Sequence, residues 1–286
     1  MFRKLCKMSQ KDLKQFVATA LQKTHDKVSI GDGYVYAQGK FPVLLVAHLD
    51  TVHEHLPKII MYDKKSDSLS SPQGIGGDDR CGVYMILEVI KKYNCSVLFC
   101  EDEEKGGIGA TKFTKTLLAK DLEFNYIIEF DRQGCDDAVF YNCENKDFES
   151  FITADYYAKS WGTFSDISIL APFFGCAAVN LSCGYYNPHT KNEYVVLSEM
   201  DESIYAACRI LERTTEYDKF EYVESYGGSL WNWIDDEKQY YIEYYNKETK
   251  RHEWTEISAT SKAAAVGRFC MDHPNISYAD MEVWTY

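Results

Sequence analysis

The residues that could do chemistry together are scattered along the chain but share a setting. His48 and Asp50 follow the apolar run 43–46 in VLLVAHLD, and the loop GIGGDDR supplies Asp78 and Asp79. Glu101, Asp102, Glu103 and Glu104 follow the apolar run 96–100. Asp131 follows 126–130, and His189 sits in YNPHT beyond 177–181. Imidazole and carboxylate form a donor set suited to zinc, and also to manganese or cobalt. Carboxylates that share a site repel one another unless protons or cations neutralise them. Each piece alone says little: an HxD, an acidic turn and a histidine after proline are usually solvated or structural. Gathered at strand ends, they predict a metal-holding cluster.

Something must bring these strand ends to one edge. Ser9 precedes Leu13, Phe16, Val17, Ala20 and Leu21, which is helical spacing behind an N-cap. Residues 27–30 and 34–37 flank Gly31-Asp32-Gly33 as a hairpin, and 59–63 with 68–70 suggest a second one. Runs 43–46, 96–100, 126–130, 150–154 and 177–181 read as strands. Helices are expected after the glycine loop, over 109–118 and over 198–213. Short apolar strands alternating with amphipathic helices predict an α/β fold, a three-layer sandwich with a mixed, largely parallel central sheet. In such a sheet ligands bind beyond the carboxyl ends of the strands, where the candidate residues lie.

The composition excludes several classes. A net charge of -13 argues against tracking nucleic-acid phosphates. No apolar run approaches the roughly 18–20 residues that span a bilayer, and the basic N-terminus lacks the apolar block of a secretory signal. Ten cysteines without a CxxC pair predict buried free thiols in a reducing cytoplasm. Composition shifts near Tyr217. The expectation is a domain over 1–217 and a small aromatic-rich ββαβ appendage over 218–286, with strands at 239–245, 252–257 and 279–286 and a helix containing Ala264, Ala265, Val266 and Phe269.

In order, HLDTV, GGDDRCG, EEKGGIGA, EFDR and YNPHTKNEYV resemble the co-catalytic di-zinc exopeptidase family: peptidase T, carboxypeptidase G, aminoacylases and leucyl-type aminopeptidases. The resemblance covers roughly residues 40–205. It implies a zinc-exopeptidase-like fold and two zinc ions. His48 and Asp131 would hold one ion, Glu104 and His189 the other, and Asp78 would bridge them. Asp50 would orient the ring of His48. Glu103 would be the general base acting on a bridging water. The Asp78–Asp79 peptide is often cis in this family.

The implied activity is cleavage of an amide bond in small peptides by an exopeptidase, with an aminopeptidase as the leading reading. The rivals are an N-acyl amino acid deacylase on the same site and a non-catalytic binding module on the same scaffold. The family's lid domain cannot fit between Asp131 and His189, so any oligomer would form by other means. Ser165-Asp166 lacks the GxSxG elbow of a nucleophile, and Asp166 is expected near the pocket. Arg80 and Arg132 are candidates either for holding a substrate carboxylate or for structural ion pairs. His53 and His55 are read as belonging to a loop that leads away from the site.

Overall fold

A computed structural model describes residues 1–215, 217–224, 238–246, 249, 251–259, 269, 273 and 281–285. The chain divides into two compact units, Met1–Glu224 and Ser225–Tyr286.

The first unit begins with helices Phe2–Leu5 (α1) and Gln10–Leu21 (α2). Ser9 caps α2 by accepting the Asp12 N–H at 3.1 Å. Strands Lys27–Gly31 (β1), Tyr34–Gln38 (β2) and Phe41–His48 (β3) follow, then Met61–Asp63 (β4) and Ser68–Ser70 (β5). Helix Gly77–Val89 (α3) leads to strand Cys95–Cys100 (β6), a 3-10 turn at Glu103–Lys105, and helices Ile108–Thr114 (α4) and Leu117–Lys120 (α5). Next come Tyr126–Arg132 (β7), Asp137–Val139 (β8), helix Lys146–Ile152 (α6), Ala158–Ser160 (β9), helix Ile167–Phe174 (α7) and Ala178–Ser182 (β10). Strands Tyr185–Tyr186 (β11) and Tyr194–Val196 (β12) precede helix Leu197–Arg213 (α8).

Eight strands form the central sheet in the order β1-β2-β6-β3-β7-β10-β8-β9. Strands β6, β3, β7 and β10 run parallel, while β1, β2 and β8 join by antiparallel pairing. Side chains alternate across the sheet. Val43, Leu45 and Ala47 enter one core with α2, α3 and α8, and Leu44 and Val46 enter the other with α4 and α7. That is the expected three-layer sandwich. Strands β11, β12, β5 and β4 make a second, antiparallel sheet. None of the described helices is long and apolar enough to cross a membrane.

Several details depart from the sequence reading. Residues 150–154, expected as a strand, close helix α6 instead. Asn145 caps that helix by accepting the Phe148 N–H at 3.0 Å, and Phe148 and Ile152, one turn apart, bury together. The helix expected over 109–118 breaks into α4 and α5, because Thr116 caps α5 through the Ala119 N–H. Segment 218–224, expected in the appendage, packs with the first unit: Phe220 and Tyr222 lie against its core, and bridges join Cys143 to Glu224 and Cys176 to Glu221.

Gly82 sets how closely α3 can approach the sheet. A Cβ there would meet the Phe130 carbonyl oxygen at 1.9 Å and the Asp79 carboxylate at 2.5 Å.

In the second unit, strands Lys238–Asn246 (β13), Arg251–Ala259 (β14) and Met281–Thr285 (β15) pair antiparallel in the order β14-β13-β15. The expected strands are present. Of the expected helix, Ala264, Ala265 and Val266 lie outside the described residues. The cysteines among the described residues are unpaired thiols, most of them buried.

Candidate metal centre

Parallel pairing of β6, β3 and β7 places the ends of these three strands on one edge, so residues distant in sequence become neighbours. His48, the last residue of β3, has no solvent exposure. Its Nδ1 donates to Asp50 Oδ1 at 3.1 Å, which turns Nε2 toward Asp78 Oδ1 at 2.9 Å and Asp131 Oδ1 at 3.4 Å. Such a carboxylate partner fixes the tautomer that leaves Nε2 as an electron-pair donor. Asp50 does more than orient the ring. Its two oxygens accept the backbone N–H groups of Glu103 at 3.0 Å and Glu104 at 3.1 Å, tying β3 to the acidic turn.

Within that turn the four acids separate. Glu101 pairs with Lys14, and Asp102 pairs with Lys105 at 2.8 Å. Glu103 and Glu104 face the cluster. Gly107, at φ +67°, lets the turn close over α7, where a Cβ would strike Ile169 at 2.5 Å.

Asp78 lies between the two histidines. Its Oδ1 faces His48, and its Oδ2 faces His189 Nε2 at 3.1 Å. His189 Nε2 also lies 3.0 Å from Glu104 Oε1. Asp78 and Asp79 are joined by a cis peptide, as the resemblance implies. Asp79 faces away from the cluster and braces backbone, accepting the N–H of His48 at 3.2 Å and that of Gly82 at 2.8 Å. Asp131 accepts the Tyr185 hydroxyl at 3.3 Å, and its N–H donates to Asn180 at 2.8 Å.

The charges are out of balance. Burial and the neighbouring Asp131 push the Glu103 carboxyl up to about 9. Burial and Asp78 push Asp131 up to about 7. Burial alone would lower His48, but Asp131, Asp50 and Asp78 outweigh it and raise its pKa well above the usual value. Among the described residues, the ion-pair partners of Asp78, Asp131 and Glu104 are histidines. Ligand atoms of His48, Asp78 and Asp131 lie within 4.8 Å of one another, as do those of Asp78, Glu104 and His189. This donor set and its excess of negative charge fit divalent cations.

Other candidates resolve differently. Arg80 is buried and donates to the carbonyls of Leu49 and Asp50 at 2.8 and 3.0 Å, so it is a brace for the strand end. Arg132 is engaged by Asp137 through Nε and Nη2. Ser165 and Asp166 have no solvent exposure and do not line the cleft. Cys81 is buried in α3. His55 is exposed, whereas His53 does not lead away from the site: its Nε2 lies 2.7 Å from Glu193 Oε2.

Glu193 is the residue the sequence reading missed. It is fully buried and accepts the N–H groups of Gly76 at 2.7 Å and Asp78 at 2.9 Å. Its position four residues after His189, between polar neighbours, resembles a surface residue, and only the fold reveals its partners. Beside the cluster opens a cleft of about 320 Å³, whose lining includes Glu103, Glu104, Tyr141, Phe164 and His189.

No family model and no curated protein sequence matches the chain. Solved structures do match its fold. An aminopeptidase PepT from Bacillus cereus aligns with a TM-score of 0.59 at 14% identity, over 74% of this chain and 96% of that one. An aminopeptidase from the archaeon Desulfurococcus kamchatkensis aligns at 0.58 and 15% identity, over 75% and 94%. A Zn-dependent exopeptidase from Parabacteroides distasonis aligns at 0.51 and 13% identity, over 71% and 90%. The fold is therefore the zinc-exopeptidase-like α/β sandwich that the motifs implied.

Proposed function

We propose that the chain is a metal-dependent hydrolase that removes the N-terminal residue of short peptides, an aminopeptidase. The observation that carries this reading is the two-sided Asp78, with His48 and Asp131 on one side and His189 and Glu104 on the other. These residues would hold two divalent cations, zinc foremost, with manganese and cobalt suiting the same donors. Bound there, the ions would supply Lewis acidity toward a water molecule and the amide carbonyl.

The chain's own groups account for the rest. Glu103 projects from the turn that Asp50 holds by its backbone, with its carboxyl at the cleft. It takes the proton of the attacking water and passes it to the leaving amine. No side chain forms a covalent intermediate. Burial is the first cause of the raised Glu103 pKa and repulsion by Asp131 the next; positive charge placed among Asp78, Asp131 and Glu104 opposes that repulsion, so ion binding and the basic form of Glu103 are linked.

The direction of cleavage is inferred from charge. Among the described residues, Arg132 is the arginine on the cleft wall, and Asp137 occupies it. Around it are carboxylates, which suit an α-ammonium group better than the carboxylate of an N-acyl amino acid or a peptide C-terminus.

Metal analysis of the wild type, His48→Ala and Asp78→Ala should give about two ions per chain falling to one or none. A panel of aminoacyl, N-acyl and carboxy-terminal amides should show turnover of the aminoacyl class. A wild type that stays metal-free after preparation in excess zinc sinks the site. Preference for N-acyl substrates sinks the aminopeptidase reading and leaves the site standing.

A further inference from the structure

The second unit displays an aromatic face for which the hydrolytic reading has no use. Along β13, Tyr240, Ile242 and Tyr244 are buried, so alternation puts Tyr241, Glu243 and Tyr245 on the opposite face. Pairing of Glu243 with Trp254, Tyr245 with His252 and Tyr241 with Glu256 puts the β14 residues on that same face, and pairing of Tyr241 with Trp284 adds β15. Trp254, Tyr241 and Trp284 thus form a row across three strands. Trp254 is 66% exposed and Trp284 38%. A large indole left open on a sheet is uncommon, and two on one face mark a binding surface more often than chance. The rings, with Glu243 and His252, line a depression of about 400 Å³.

The chemistry of this face selects its occupant. The face of an aromatic ring attracts cations, most strongly for tryptophan. The carboxylates of Glu243 and Glu256 stand among the rings, and His252 lies 3.3 Å from Glu243. Carboxylates among aromatics favour ammonium and guanidinium groups and repel phosphates. Spacing adds a second condition. Tyr241 lies 6.5 Å from Trp254 and 6.3 Å from Trp284, centroid to centroid. An extended peptide presents side chains on one side at a repeat of about 6.6 Å. We propose that this face docks an extended basic peptide, with lysine or arginine side chains at alternate positions set against Trp254, Tyr241 and Trp284. The net charge of -13 complements such a partner.

The test uses the full chain and two capped octapeptides, one alternating lysine with serine and one with glutamine in place of lysine, followed by tryptophan fluorescence. Capping both ends removes the termini an exopeptidase would attack. The lysine peptide should bind roughly tenfold tighter than the glutamine peptide, and added salt should weaken it. Trp254→Ala and Glu256→Gln, both exposed positions that folding can spare, should each weaken lysine-peptide binding several-fold. Equal binding of the two peptides overturns the proposal, as does wild-type affinity in both variants or no binding of either peptide up to about 1 mM. Tighter binding of a neutral oligosaccharide than of the lysine peptide overturns it as well.

Discussion

Glu193 Oε1 accepts the backbone N–H of Asp78 at 2.9 Å, so a carboxylate that touches none of the candidate ligand atoms fixes the residue standing between both histidines. Its other oxygen takes the Gly76 N–H and lies 2.7 Å from His53 Nε2, joining three segments at one buried point. Glu193→Ala leaves two buried N–H groups without an acceptor and should cost about 1–3 kcal/mol for each in chemical denaturation. Zinc affinity should fall with it. Glu193→Gln, which retains one acceptor oxygen, should lie between. A folded Glu193→Ala protein with wild-type zinc affinity would show that the clasp does not position Asp78.

Glu103→Gln keeps shape and removes the base. Turnover of an aminoacyl substrate should drop by roughly 10²–10⁴, with metal content near that of the wild type. Full activity in this variant would remove Glu103 from the mechanism.

Chelation should invert the usual dependence of stability on pH. In the protein's own field Glu103 is pushed up to about 9 from 4.5, and Asp131 to about 7 from 3.8, each chiefly by burial. His189 rises to about 10 from 6.5 through its contacts with Asp78 and Glu104. Groups with raised pKa bind more protons folded than unfolded, so their contribution favours folding at low pH and is lost as pH rises through the folded values. Chelated protein should therefore melt at a higher temperature near pH 6 than near pH 9. Zinc, which competes with protons for these donors, should stabilise most at the higher pH. Chelated protein that is more stable at pH 9 would contradict the assignment of these groups to one cluster.

Gly82→Ala tests the contact between α3 and the sheet. The added methyl would meet the Phe130 carbonyl oxygen and the Asp79 carboxylate, neither of which can yield without moving β7 or the His48 backbone. A loss of about 1–3 kcal/mol is expected, read as a lower denaturation midpoint. Zinc binding should weaken in parallel, because Asp79 braces the strand end that carries His48. A variant as stable as wild type would mean that helix and strand are less tightly apposed.

The parallel strands β3, β6, β7 and β10 were legible because they are buried on both faces and read as nearly unbroken apolar runs. Helix α6 was misread because Phe148, Phe151 and Ile152 give an apolar run too short to show its period, and the Asn145 cap that decides it lies upstream. The three-residue strands β8 and β9 carry almost no pattern and exist through pairing with β10 and with each other. His48, Asp78, Asp131, Glu104 and His189 are named as donors through the resemblance of five ordered motifs, because residue type and order along the chain are written in the sequence.

Residue type and order thus pointed to the α/β fold, and the resemblance of the ordered motifs implied the set of donors. Three matters only the tertiary structure decided: that Asp50 grips Glu103 and Glu104 by their backbone, that Arg80 braces a strand rather than facing substrate, and that Glu193 with His53 secures Asp78. Each depends on a hydrogen bond between segments tens of residues apart. Periodicity and donor type leave such a bond undetermined, because it forms only where the packed fold brings a side chain within about 3 Å of a partner distant in sequence.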